Sequence, residues 1–187
     1  MGIRNSRTGW GWLAVTFHWL TALAVIGLFA SGIWMVDLTY YNKWYNTAPH
    51  WHKSIGMLLM FLLVARLAWR LFSVTPEHEA SVSKPERIAA GIAQVLLYLL
   101  LFTVVLAGYL IPTANGNPVE VFDWFTVPAS ITGMDLFGMA QEDLAGKIHE
   151  YAAWALVIIA GVHAAGALKH HFIDRNDTLK RMLGIRS

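Results

Sequence analysis

"GKIHEYAAWALVIIAGVHAAG", residues Gly146 to Gly166, is almost wholly apolar yet carries two histidines, His149 and His163. About 20 apolar residues let a helix cross the hydrocarbon of a bilayer, so this stretch is long enough to span. Water is absent there, and the backbone must satisfy its own N–H and C=O groups, which makes such a span helical. Imidazole is costly in hydrocarbon and tends to mark function. A separation of 14 residues gives about 21 Å of rise and leaves the two rings about 40° from alignment. Both rings therefore point to one face, near opposite ends of the span.

The rest of the chain has the same character. Of 187 residues, 56% are hydrophobic and only 14% charged, too apolar a balance for a soluble domain and the usual one for a polytopic membrane protein. The length suits a single membrane domain covering 1–187 with no separate soluble module. A net charge of +2 argues against nucleic acid as a partner. The absence of cysteine removes covalent c-type haem, iron–sulfur clusters and thiol relays. Any metal or cofactor must be held by His, Met, Asp, Glu or backbone.

Four apolar segments read as spanning helices, at about 11–36, 52–72, 88–111 and 146–168. The expected fold class is all-α, a transmembrane four-helix bundle. Arg4 and Arg7 before the first span resemble the start of a signal peptide, but the apolar run is longer than a signal core, so it reads as an uncleaved anchor. Eleven of the 14 Lys and Arg residues lie in the N-terminus, the second span's end, the loop after it and the tail; only Lys43, Lys53 and Lys147 lie on the other side. The positive-inside rule then makes both termini cytoplasmic. The outer loop 112–145 is mainly acidic and is expected on the outer mouth of the bundle, with a short interfacial helix. The tail 169–187 reads as a helix end, a polar turn and a short basic amphipathic helix capped by Asp177 and resting on anionic lipid.

Of eight histidines, four sit in or at the edges of spans: His18, His52, His149 and His163. The topology puts His18 level with His163 on the inner side and His52 level with His149 on the outer side. Two cross-helix pairs follow, and a four-helix bundle brings such residues together in its core. Bis-imidazole pairs are what non-covalent b-type haem needs, with iron held on both axial positions and suited to passing electrons. Ala145, Gly146, Ala152 and Ala153 flank His149, and Ile159, Ala160, Gly166 and Ala167 flank His163. With Gly56 near His52, they let a flat macrocycle approach the backbone; small residues at this spacing also serve plain helix packing.

Arg66 follows His52 by 14 residues, which places it on the same face at the depth of the inner pair. Its fork suits a haem propionate or a quinone headgroup, and snorkelling to the inner surface is the other reading. Arg70 belongs at the interface, and Gln94 and Tyr98 are polar contacts of the third span. His50 faces away from His52; His78, His170 and His171 read as loop or helix-end residues.

The segments "TFHWLTAL", "PHWHKSIGMLLMFLLVARLAWR", "GKIHEY", "AGVHAAGALKHHF" and "DTLKRML" resemble the motifs of the bacterial cytochrome b561 family over nearly the whole chain. The resemblance implies a multi-pass protein of the bacterial inner membrane with two haem b groups (iron), the inner on His18 and His163 and the outer on His52 and His149. It also implies exchange of electrons with membrane quinone and, on the outer side, with a periplasmic redox partner. Within the resemblance, superoxide oxidation coupled to ubiquinone reduction and service as the haem-bearing membrane subunit of a dehydrogenase or hydrogenase are alternatives. The acidic outer loop argues against superoxide by repulsion. A histidine-based proton or metal transporter is the alternative without haem.

Overall fold

The computed structural model describes residues 2–77, 79 and 81–185. His78 and Arg186, read above as a loop residue and as part of the basic tail, lie outside the described residues. Four long helices run in chain order: α1 (Trp12–Val36), α2 (Thr47–Leu71), α3 (Lys84–Thr113) and α4 (Gln141–Phe172). Each is long and apolar enough to cross a membrane.

Local chemistry sets the ends of the helices. Ser83 and Glu86 form a reciprocal capping box ahead of α3, with Pro85 in its first turn, where a missing N–H costs nothing. The helix therefore starts four residues before the expected span. The α2 helix begins at Thr47, five residues early, because Pro49 also falls in a first turn. Gln141 opens α4, whose last turn carries Lys169, His170 and His171 against the negative end of the helix dipole.

The outer loop differs from expectation. It holds no interfacial helix; its elements are two antiparallel hairpins, β1 (Val119–Val121) with β2 (Phe125–Val127) and β3 (Asp135–Leu136) with β4 (Met139–Ala140). Alternation of valine with polar residues in "VEV" selects a strand. Val119 and Val121 pack on Met57 of α2. Beneath them Ser54, fully buried, donates to the Glu120 carbonyl at 3.3 Å and accepts from the Phe122 amide at 3.1 Å. Gln141 pins the second half of the loop: its amide donates to the carbonyls of Leu110 (3.0 Å) and Ile131 (3.1 Å), and its oxygen accepts from the Met134 amide (3.2 Å).

The tail forms the expected short helix, α5 (Thr178–Met182), directly after Asp177. Lys180 pairs with Asp177 at 2.9 Å and Arg181 pairs with Glu79. The Trp19 indole donates to the Met182 carbonyl at 2.7 Å, and the Glu77 amide donates to the Arg7 carbonyl at 2.9 Å. Both chain ends and the α2–α3 connection thus share one end of the bundle, and the hairpins close the other.

Packing is uneven across the bundle. A core of Leu59 and Leu63 from α2, Leu101 and Val105 from α3, and Leu156 from α4 sits at mid-height. The α4 helix lies along α3, α1 along α2, and α2 on α3, whereas neither α1 nor α2 makes extended backbone contact with α4. Residues 161–166 of α4 are exposed on every side of the helix. Large side chains such as Leu23, Ile26 and Val162 are more than half exposed, a surface that lipid tails cover at no cost.

Candidate functional site

Four imidazoles face each other between α4 and the α1–α2 layer. The ring centres of His52 and His149 are 6.1 Å apart, and those of His18 and His163 are 6.5 Å apart. A metal–imidazole bond is about 2 Å and the ring centre lies roughly 1 Å behind the bonding nitrogen, so two imidazoles sharing one ion have centres about 6 Å apart. Both separations match that span. The four histidines chosen from the sequence are thus brought together two by two, in the expected combinations.

Hydrogen bonding at the outer pair leaves a lone pair on each ring. The Nδ1 of His149 lies 2.8 Å from the Val104 carbonyl oxygen. A carbonyl only accepts, so Nδ1 carries the proton and Nε2 keeps its lone pair. Gly108, one turn along α3, makes this approach possible: a Cβ there would lie 2.9 Å from His149 Cε1 and 3.0 Å from Nδ1. Ser31 serves His52 in the same way. Its hydroxyl donates to the Leu28 carbonyl at 3.0 Å and contacts His52 Nδ1 at 3.1 Å. The single hydroxyl proton is already used, so Nδ1 donates and Nε2 is again free. A second-sphere acceptor on the remote nitrogen is the usual way a ligating histidine is oriented.

The inner pair is arranged differently. Arg66 Nη2 lies 3.3 Å from His18 Nδ1, and a guanidinium only donates, so that nitrogen accepts. Arg66 also sits over the Tyr98 ring, 5.4 Å from its centre. One turn nearer the termini, Arg70 donates to Gln94 Oε1 at 2.9 Å and lies 5.9 Å from the centre of the Trp10 ring. The four polar residues singled out on α2 and α3 therefore form two cross-helix pairs, of which Arg66–Tyr98 touches His18.

Glycines near these rings bear on whether a flat group fits. A glycine kept for close helix packing has a neighbour where its Cβ would be. Gly56, Gly146 and Gly166 have nothing within 4 Å of that position. None of the three is therefore kept small by a packed neighbour. The opposed rings and free lone pairs fit a bis-imidazole haem at the outer level, and the ring spacing fits one at the inner level.

The remaining histidines stay outside this constellation. His50 packs against Phe122 with ring centres 6.4 Å apart. His170 Nδ1 lies 2.6 Å from Asp174 Oδ2. Glu86, His170 and Asp174 cluster closely enough to suggest an ion site, but the Lys169 ammonium already occupies it, paired with both Glu86 and Asp174. That ammonium foremost, then the His170 contact, holds the Asp174 carboxyl below its ordinary value.

Ser31, Gly32, Val104 and Gly108 lie against His52 and His149 and carry no direct signal in the sequence. Their signal was indirect: each ligating histidine needs an acceptor for its second nitrogen, and a small residue or hydroxyl at matching depth on another helix can provide it.

The model of the family described as prokaryotic cytochrome b561 matches residues 9–184. The chain is 49% identical to cytochrome b561 homolog 2 of Escherichia coli (strain K12) over 98% of this chain and 96% of that protein. It is 27% identical to the probable superoxide oxidase CybB of Yersinia pestis, over 91% and 93%. It is 28% identical to cytochrome b562 of Cereibacter sphaeroides, over 96% and 98%.

Proposed function

The chain belongs to the prokaryotic cytochrome b561 family, a multi-pass family of the bacterial inner membrane, and on that premise we propose that it passes electrons between two haem b groups stacked across the bilayer. His52 and His149 hold the outer group; His18 and His163 hold the inner one. The observation that carries this reading is the spacing of the opposed imidazoles, 6.1 Å and 6.5 Å. Such a group supplies a one-electron couple with both axial positions filled.

The protein's own residues orient and insulate. Val104 and Ser31 fix the outer rings through their remote nitrogens, and the apolar walls exclude water. With the termini on the cytoplasmic side, the hairpins cover the periplasmic mouth and membrane quinone exchanges electrons from within the lipid. Glu120, Asp123, Asp135, Glu142, Asp143 and Glu150 outnumber Lys43, Lys53 and Lys147 at that mouth. This field disfavours an anionic periplasmic partner and suits a neutral or cationic one.

The test is a haem count on purified protein with a difference spectrum before and after dithionite. Two low-spin b haems per chain are expected. His52→Ala and His149→Ala should each remove the same one, and His18→Ala and His163→Ala the other. An unchanged haem count in any of these variants, or loss of both groups from each, refutes the pairing. Reduction by quinol in the absence of superoxide separates quinone exchange from superoxide oxidation.

A further inference from the structure

Some basic groups at the termini end are matched by carboxylates. Lys169, Lys180 and Arg181 each pair with a carboxylate, and His170 with Asp174. Arg66 and Arg70 lie deeper, where an unmatched charge costs more. Among the described residues neither has a carboxylate within ion-pair distance, and their partners are neutral: His18, Gln94 and two aromatic rings. Arg66 thus reaches His18, and Arg70 stands one turn, about 6 Å, further along α2.

The contact of Arg66 with His18 sharpens the point. Nε2 of His18 can bind a metal only while Nδ1 carries the proton. That tautomer cannot accept from Arg66, so ligation turns the guanidinium toward another acceptor. A carboxylate is the strongest available partner, because the bond becomes charge-assisted on both sides and the fork matches it.

We propose that Arg66 and Arg70 form the seat of the two carboxylates of the inner haem, so that haem entry releases His18 for ligation and neutralises both half-buried charges. This rests on the bis-imidazole reading and goes beyond it in assigning the orientation of the inner group: its carboxylate edge points to the termini end. Gln94 and Tyr98 act as positioning residues that hold the two guanidiniums toward the slot. A lipid phosphate has related anion chemistry and is the competing occupant.

The experiment loads full-length protein in parallel with iron protoporphyrin IX and with its dimethyl ester, which lacks the carboxylate charges. Haem retention and the two midpoint components are then read for wild type, Arg66→Gln and Arg70→Gln. With the native group, each variant should retain the inner haem about tenfold less firmly or worse. Its inner midpoint should fall, since a positive charge that favours the reduced form is lost. The outer component should be unchanged, which also reports an intact bundle. With the ester, wild type should lose inner retention by a similar factor, and the variants should lose no more. Ester held by wild type as firmly as the native group overturns the proposal and leaves the anion to lipid phosphate. Variant defects of full size with the ester also overturn it. The wild-type arm decides the matter even where a variant fails to fold. Protein that binds neither porphyrin defeats the electron-transfer reading itself, whereas an ester result without selectivity defeats only this seat.

Discussion

The carbonyl of Val104 on α3 accepts a hydrogen bond from Nδ1 of His149 on α4 at 2.8 Å, through a gap that exists because residue 108 is glycine. This bond fixes both the tautomer and the direction of the imidazole, so α3 helps build the outer site although it supplies no ligand. A Gly108→Ala change puts a methyl 2.9 Å from a ring atom, and a rigid ring wedged between helices cannot yield as a flexible chain would. Outer-haem affinity should fall by about ten- to a hundredfold, the usual cost of losing a ligand's orienting partner. A haem titration of the variant measures it, with the inner haem as internal control.

Ser31 and Gly32 are adjacent on α1 and should respond oppositely to alanine. Ser31→Ala removes the acceptor for His52 Nδ1 and leaves a buried donor unpaired, which costs about 1–3 kcal/mol. A Cβ on residue 32 would sit 3.4 Å from His52 Cε1, close but tolerable. The outer midpoint and haem retention should change in Ser31→Ala and stay near wild type in Gly32→Ala, as a redox titration of both would show.

Gln141 is almost completely buried and holds three backbone groups of the outer loop and α3. Gln141→Leu keeps the bulk but strands those groups, at about 1–3 kcal/mol for each that water cannot reach. The loop between Pro128 and Ala140 should become sensitive to protease at the hairpin end, with both haems retained. Protection equal to wild type would show that the hairpins hold without this amide.

Asp174 gives the sign of one pH effect. Its carboxyl is held below the ordinary 3.8 mainly by Lys169, so the folded state binds a proton less readily than the unfolded one. The contribution is therefore present above pH 3.8 and lost as the pH falls below it through the folded value. Lys169→Ala should return the Asp174 titration toward 3.8, which carboxyl NMR detects directly; an unchanged titration would assign the effect to another group.

Much of the fold was legible locally. Hydropathy and length identify spans without any tertiary knowledge, because the bilayer dictates both. The extra turns of α2 and α3 lie beyond their apolar cores, where a first-turn proline and, for α3, capping by Ser83 and Glu86 extend the helices. The hairpins were missed because strands of two or three residues carry too little alternation to register. The pairing of Arg181 with Glu79 joins distant parts of the chain and has no local signal.

The sequence by itself determined the number of spans, the histidines and the depths at which they pair, because hydropathy and helical rise are properties of a single segment. Only the tertiary structure decided that Ser31, Val104 and Gly108 orient the outer rings and that Arg66 stands beside His18. Those facts arise where different helices meet. A hydrogen bond across an interface depends on the rotation and offset of both helices, which no periodicity within either one encodes.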